Sequence, residues 1–336
     1  MTLYCGIDLH ANNHVICVID DKDKRVLEAR CDNQIELTLK ALSGYKRRLK
    51  GIAVESTFNW YWLVDGLMAA GFKVELVNTA RVVQYNGLKR TDDRYDAFHL
   101  AHLMRLGILP TGYIYPKETR GLRDLLRKRM QLVQNRSSHL IRYKSQLHNL
   151  TGETERADRI KAHKYQVPEI GDPVVQLSLQ SHIQMIRAYS RQIKQIEKAL
   201  LLNTAHRPEL DYLKTAPGIG DILALTILLE TGDISRFKGP GNFASYCRCV
   251  DSRRESNGKK KGENNRKNGN RYLAWAFIEA ANFAIRRNDK VRRYYQKKSQ
   301  ATHVIVARKA LAHKLARACY WIMKKQVAFN ESLIFG

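Results

Sequence analysis

The first 110 residues alternate between short apolar runs and amphipathic stretches, and the order of these segments restricts the fold more than any other feature. Runs with the apolar composition typical of strands cover residues 3–7, 14–19, 25–31, 51–55 and 73–77. Stretches with helical periodicity cover residues 35–49, 59–70, 80–88 and 94–107. Three consecutive strands favour a meander, and later strands separated by helices favour parallel crossover connections. The order βββαβαβα therefore predicts an α/β domain with a mixed sheet.

This is the order of an RNase H-like (RuvC-like) domain, in which the first and fourth strands are neighbours. Asp8 ends the first predicted strand and Glu55 ends the fourth, so we expect their side chains to lie side by side. Asp93 and Asp96 open the last helix and share one of its faces. Because four converging carboxylates repel one another, we predict that they bind two Mg²⁺ ions, which prefer oxygen ligands and can clamp a phosphodiester. The stretch TDDRYD also offers Asp92 as a ligand, but we assign Asp92 to the helix cap.

From Lys117 the sequence changes to long polar helices. We assign a catalytic domain to residues 1–112 and a helical connector to residues 113–204. Branched apolar residues recur there every seven positions in two stretches: Leu126, Val133, Leu140 and Leu147, then Leu179, Ile186, Ile193 and Leu200. Such heptads fit an antiparallel hairpin, a dimerising coiled coil or ordinary bundle packing.

Residues 205–336 predict a third, mainly helical domain. Its PGIG turn, between two amphipathic helices, resembles a helix-hairpin-helix element, so we expect Gly218 and Gly220 to bring backbone N–H groups to a nucleic-acid phosphate. The stretch RRESNGKKKGENNRKNGN is too polar to bury a core and predicts a solvated loop that orders on nucleic acid. The basic residues expected to contact nucleic acid there are Lys259, Lys260, Lys261, Arg266, Lys267 and Arg271.

The formal net charge of +26 indicates a polyanionic partner, with nucleic acid the first choice. Residues 1–115 carry 15 Lys and Arg against 13 Asp and Glu, whereas the remaining residues carry 43 against 19. This asymmetry predicts chemistry in the first part and nucleic-acid binding in the rest. The first ten residues do not resemble a signal peptide, and no stretch approaches the ~20 apolar residues of a membrane span. The pattern of the cysteines predicts reduced thiols and not disulfides. We therefore expect a cytoplasmic protein that does not contact a membrane.

Five segments in matching order and spacing resemble the DEDD transposases of the IS110 family of bacterial insertion sequences, together with the Piv/MooV-type invertases. The segments are YCGIDLH, GIAVEST, TDDRYDAFHLAHL, PGIG and SNGKKKGENNRKNGNRYL. The resemblance implies a RuvC-like domain, a coiled-coil connector and a C-terminal transposase domain. It also implies a prokaryotic, homo-oligomeric DNA recombinase, a tetramer, guided by a structured non-coding RNA from its own element.

The resemblance further implies that Asp8, Glu55, Asp93 and Asp96 are the four metal-binding acids and that Ser256 is an essential catalytic residue. Ser252 offers a second hydroxyl close by. A serine that attacks a phosphodiester needs activation, and it conserves the bond energy in a phosphoserine link. We predict that Ser256 meets the Asp8 site in a composite centre, within one subunit or across two.

Three other functions compete with this interpretation. A RuvC-type junction-resolving nuclease would use metal-bound water instead of the serine. A basic nucleic-acid-binding protein would need no acids at all, although the acid set is intact here. An actin-like ATPase shares a related fold, but residues 9–12 (Leu, His, Ala, Asn) lack the glycines that phosphate binding would require.

Overall fold

The first structural unit, Met1–Lys117, is built on a five-stranded sheet. The computed structural model describes residues 1–82, 92–252, 254–262 and 268–335. The strands are β1 (Leu3–Leu9), β2 (Asn13–Ile19), β3 (Arg25–Asp32), β4 (Leu49–Glu55) and β5 (Val74–Val77). Their order is β3-β2-β1-β4-β5; β2 is antiparallel to both β1 and β3, and β4 is parallel to both β1 and β5. The predicted RNase H-like mixed sheet, with β1 and β4 adjacent, is confirmed.

Helices cover both faces of this sheet. Helices α1 (Ile35–Leu42) and α2 (Tyr61–Ala69) pack on one face, and α3 (Asp93–Arg105) packs on the other. Because side chains alternate along a strand, the odd-numbered residues of β1 face α1 and α2, whereas the even-numbered ones face α3. This alternation directs Gly6 and Asp8 towards α3.

One helical prediction in this unit differs from the structure in extent. The helix predicted over residues 35–49 ends at Leu42, and a 3-10 turn follows at Ser43–Tyr45, where the Ser43 hydroxyl donates to the Lys40 carbonyl oxygen. Such a local side-chain bond competes with helix continuation. The helix predicted over residues 80–88 lies mostly outside the described residues.

The second unit, Glu118–Gly336, contains two long helices that pair within the chain. Helix α4 (Lys117–Thr151) and helix α6 (Pro173–Thr204) flank the short α5 (Ala157–Lys161). Arg129 of α4 donates to Glu197 of α6, whereas Gln146, further along α4, donates to Ser178, nearer the start of α6. This reversed order shows that the two helices run antiparallel. Of the arrangements that the heptads allowed, the structure has a pairing within one chain.

The remaining helices of this unit share one apolar core. They are α7 (Pro208–Lys214), α8 (Asp221–Thr231), α9 (Pro240–Tyr246), α10 (Arg271–Arg287), α11 (Asp289–Ala301), α12 (Val304–Lys325) and α13 (Glu331–Phe335). Every residue of α8 from Leu223 onward is buried, which explains why this segment is mostly apolar, with Glu230 as its one charged residue. Within the described part of the chain, we find no helix long and apolar enough to span a membrane.

Part of the polar stretch predicted to be a loop is a β-hairpin instead. Strands β6 (Arg254–Ser256) and β7 (Lys259–Gly262) pair antiparallel, with Ser256 opposite Lys259. The two turn residues, Asn257 and Gly258, both have positive φ, at 50° and 70°. Asn-Gly is the preferred sequence for such a two-residue turn because both residues tolerate this conformation. The loop prediction was therefore wrong for residues 254–262.

Candidate active site

Asp8 and Glu55 lie at the ends of neighbouring parallel strands. The register pairs Ile7 of β1 with Val54 of β4, so the residues that follow are also side by side. The residues directly before them, Gly6–Ile7 and Ile52–Val54, are buried and carry no polar side chain. The Asp8 side chain is buried, with a relative accessibility of 6%.

A close contact between β1 and α3 places two further acids beside Asp8. A Cβ atom built on Gly6 would lie 2.0 Å from the Ala97 carbonyl oxygen and 2.7 Å from the Ala101 nitrogen. Only glycine allows this approach, because any side chain would meet the helix backbone. Asp93 and Asp96 occupy the first turn of α3, just before Ala97, and so lie over the end of β1.

The four predicted acids are therefore brought together, and His10 joins them. His10 Nε2 lies 3.2 Å from Asp8 Oδ2 and 3.4 Å from Asp93 Oδ1. One donor atom each from Asp8, His10 and Asp93 fall within 4.8 Å of one another. Arg30 Nη2 on β3 donates to Asp93 Oδ2 at 2.5 Å.

The electrostatics of the cluster oppose full ionisation. Burial, followed by a hydrogen bond with Asp8 and the charges of Asp8 and Asp96, raises the pKa of Glu55 to about 8. Burial and the neighbouring carboxylates also raise the pKa of Asp96. The pKa of Asp93 is lowered instead, chiefly by its hydrogen bond from Arg30. Near neutral pH the cluster therefore retains a proton that a cation would displace.

The donor set fits a divalent cation. Among the described residues, Asp8 Oδ2 and His10 Nε2 are buried atoms without a hydrogen-bond partner, although they face each other. Buried polar atoms are rarely left unsatisfied, so such a pair fits the binding of a cation between them. Carboxylate oxygens are the ligands that hard divalent cations prefer.

Asp92 has a different position from the other acids. Its side chain accepts a hydrogen bond from the Tyr95 backbone nitrogen at 2.8 Å, which makes Asp92 the N-cap of α3. This is the arrangement expected from TDDRYD, and it leaves Asp93 as the aspartate that faces His10.

Sequence reasoning did not identify His10 and Arg30. His10 lies in the turn between β1 and β2, and Arg30 lies on the edge strand β3, so neither ends a strand in the way that Asp8 does. Arg30 comes near the acids through the register of the sheet, which pairs Arg30 with Val15 and Val15 with Asp8.

Ser256 lies in the second unit, at the tip of the β6–β7 hairpin, and is exposed. Lys259 and Lys261 are exposed on β7, and Lys260 is paired in register with Glu255. Arg266 and Lys267 lie outside the described residues. Ser252 precedes the hairpin and is partly buried.

The PGIG turn has one closely packed glycine and one open one. Gly218 has φ +81°, and a Cβ there would lie 2.1 Å from the Ala280 carbonyl oxygen of α10, so this glycine serves helix packing. Gly220 is the exposed N-cap of α8, and no atom of the described chain lies within 4 Å of a Cβ built on it. Arg271, also exposed, begins α10 and donates to the Tyr272 hydroxyl at 3.0 Å.

A buried carboxylate anchors the chain just after the hairpin segment. Glu230 of α8 is fully buried and accepts hydrogen bonds from Arg123, Arg127 and the side chain of Asn270. Burial alone would raise its pKa, but the Arg127 hydrogen bond and the two arginine charges outweigh it, so the pKa is lowered. Asn270 also caps α10 by accepting from the Tyr272 backbone nitrogen at 2.8 Å.

Two transposase family models match the sequence. One, described as a transposase of the DEDD IS110 type, matches residues 5–151, and the other, the transposase IS116/IS110/IS902 family, matches residues 210–296. A relative from Streptomyces clavuligerus, described as an uncharacterized 44.8 kDa protein of insertion element IS116, is 33% identical over 89 residues. That match covers 26% of this chain and 22% of the relative, so it spans about a fifth of the relative's length.

Proposed function

The chain belongs to the IS110 family of DEDD transposases, and from this premise we propose that it is a DNA recombinase that excises and integrates its own insertion sequence. The observation that carries the proposal is the convergence of Asp8, Glu55, Asp93 and Asp96 at one end of an RNase H-like sheet. The domain roles follow the sequence: residues 1–112 are catalytic, 113–204 connect, and 205–336 form the transposase domain with the serine.

In this proposal the four acids hold Mg²⁺, or another divalent ion, beside the scissile phosphodiester. A bound divalent cation stabilises the charge that develops on the attacking and leaving oxygens. The chain's own contribution is to fix the carboxylates: the β1–β4 register aligns Asp8 with Glu55, and the Gly6 contact fixes α3 above them. The Asp8 site thus positions the phosphate rather than reacting with it.

Ser256 supplies the nucleophile. Its Oγ attacks the scissile phosphorus and forms an Oγ–P bond, while the bond from phosphorus to the leaving strand oxygen breaks. The serine proton passes to solvent or a base, and the leaving strand takes up a proton as a hydroxyl. A hydroxyl of the new partner strand later attacks the phosphoserine, which restores a phosphodiester and the serine without ATP.

The basic second unit binds the nucleic acids. The backbone N–H group of Gly218, whose Cα side packs on α10, that of Gly220, and the lysines and arginines of the hairpin region contact phosphates. The affinity for nucleic acid therefore falls as salt rises. Beyond residue 115 the chain carries 43 basic residues against 19 acidic ones. This positive charge is more than one short DNA contact needs, so it supports a second polyanionic partner besides DNA. We assign it to a structured non-coding guide RNA bound by a homo-tetramer in a prokaryotic cytoplasm, as the family resemblance implies.

A labelled suicide DNA substrate tests the central claim. Wild-type protein should form a protease-sensitive covalent adduct on a denaturing gel, Ser256→Ala should lose it, and Ser252→Ala should retain it. An adduct that survives Ser256→Ala would refute the serine assignment. Cleavage without any adduct would favour the RuvC-type nuclease, which uses metal-activated water.

A separate experiment tests the acids and the guide. Asp8→Asn should abolish strand cleavage but leave DNA binding nearly unchanged, because binding depends on the basic second unit.

Purified protein should also retain a discrete transcript from beside its own gene. Equal affinity for that transcript and for scrambled RNA of the same length would contradict a dedicated guide.

A further inference from the structure

His10 is held rigidly at the mouth of the acid cluster. Its backbone carbonyl oxygen accepts hydrogen bonds from the side-chain amides of Asn33 and Asn59, both at 3.0 Å. Its backbone nitrogen donates to the Asn13 carbonyl oxygen at 2.9 Å, which closes the turn between β1 and β2. Three hydrogen bonds to the main chain of one residue fix the backbone from which its ring projects.

The ring nitrogen that faces the acids is in an unusual state. The His10 side chain as a whole is 37% accessible, yet its Nε2 atom is buried and, in the part of the chain described, has no hydrogen-bond partner. Asp8 Oδ2, 3.2 Å away, is in the same state, so the two atoms are close without the geometry of a hydrogen bond. Both residues also belong to the group of Asp8, His10 and Asp93, whose donor atoms lie within 4.8 Å of one another.

The spacing of the donor atoms matches ligands around one ion. In an octahedral site with bonds of about 2.1 Å, adjacent donors are about 3 Å apart. The distances from His10 Nε2 to Asp8 Oδ2 and Asp93 Oδ1 are 3.2 and 3.4 Å. The second oxygen of Asp93 is held by Arg30, which leaves Oδ1 directed towards His10.

We propose that His10 is a nitrogen ligand of the cation held by Asp8 and Asp93, and that the site therefore binds Mn²⁺ more tightly than Mg²⁺. This inference rests on the proposed function only in that the acid cluster must bind a divalent cation. Imidazole nitrogen suits transition metals, whereas Mg²⁺ strongly prefers oxygen ligands and retains its water. A carboxylate–imidazole set therefore favours Mn²⁺, which accepts both donor types.

Pulsed electron paramagnetic resonance on the full-length protein with Mn²⁺ tests the nitrogen ligand directly, without DNA cleavage. Wild-type protein should show a ¹⁴N coupling on bound Mn²⁺ that changes to the ¹⁵N pattern when histidine is ¹⁵N-labelled. His10→Ala should lose the coupling and bind Mn²⁺ at least about tenfold more weakly. His163→Ala, the same change at an exposed histidine, should retain both properties.

Competition with Mg²⁺ gives the second readout. Wild-type protein should need an excess of Mg²⁺ of about tenfold or more to displace half of the Mn²⁺. The variant His10→Asp, which supplies oxygen instead of nitrogen, should reduce that excess.

Bound Mn²⁺ without nitrogen coupling in wild-type protein would overturn the inference and leave the acid site intact. Equal failure of wild type and Asp8→Asn to bind Mn²⁺ would overturn the metal site as well. The isotope experiment requires no substitution, so it decides the question even if the His10 variants do not fold.

Discussion

Gly6 of β1 and Ala97 of α3 approach so closely that a single added carbon on Gly6 would lie 2.0 Å from the Ala97 carbonyl oxygen. On the strand, Gly6 precedes Asp8 by two residues, so both side-chain positions are on the same face of the sheet. On the helix, Ala97 follows Asp93 by one turn. The closeness of the helix to the sheet therefore sets the separation between the acids that the two elements carry.

Gly6→Ala should push α3 away from the sheet and separate Asp93 and Asp96 from Asp8. We expect a loss of about 3 kcal/mol in the free energy of unfolding, at the upper end for overpacking because the clash is with backbone. Urea denaturation would measure the loss, and a Mn²⁺ titration would show weaker binding. Gly44→Ala is a matched control, since no described atom lies within 4 Å of a Cβ there. Equal stability of the two variants would contradict the role of the contact.

The raised pKa of Glu55 predicts a pH dependence for the metal-free protein. The folded-state pKa of about 8 exceeds the ordinary value of 4.5, so the folded protein holds a proton that the unfolded chain has lost between these values. Stability should therefore fall as pH rises from about 4.5 to about 8. Glu55→Gln should reduce this slope, and so should a saturating divalent cation. Thermal denaturation across this range measures the effect, and identical slopes for wild type and Glu55→Gln would refute it.

Arg30 should orient Asp93 for metal binding without supporting the fold. The Arg30 side chain is largely exposed, so Arg30→Ala should change stability little. Without its hydrogen bond, Asp93 loses a fixed orientation, and loss of such a supporting partner typically costs 10–100-fold, so we expect an affinity loss of about tenfold. Isothermal titration with Mn²⁺ measures the change, and Arg47→Ala serves as an exposed arginine control on the same unit. Unchanged affinity in Arg30→Ala would show that Asp93 needs no such support.

The sequence predicted the sheet and its acids because both depend on local patterns. Apolar runs gave the strands, their order fixed β1 beside β4, and Asp8 and Glu55 end those two strands. His10 and Arg30 could not be predicted from the sequence. The contact of His10 with the acids depends on how the turn after β1 folds, and that of Arg30 depends on the register of the edge strand β3. No periodicity in the sequence encodes either feature. The heptads of α4 and α6 left the pairing open, since one apolar repeat serves a partner in the same chain or in another. The Asn257-Gly258 turn was readable from its sequence, but the surrounding lysines and asparagines suggested a loop.

Glu230 should be the strongest single electrostatic support of the second unit. Its buried carboxylate joins Arg123 and Arg127 of α4 to Asn270, which caps α10 immediately after the segment that carries Ser256. Glu230→Gln removes the negative charge but keeps the shape, so two partly buried arginines would face no compensating charge from this residue. We expect a loss of about 3 kcal/mol in the free energy of unfolding, as is typical when one partner of a buried ion pair is removed.

Because the pKa of Glu230 is lowered, its contribution to stability is present above the ordinary value of 4.5 and is lost as pH falls through the folded-state pKa. Urea denaturation of wild type and variant should therefore differ at pH 7 and converge in acid. The exposed Glu169→Gln provides a control for the same chemical change, and a loss no larger than that of Glu169→Gln at pH 7 would show that the buried network does not support the unit.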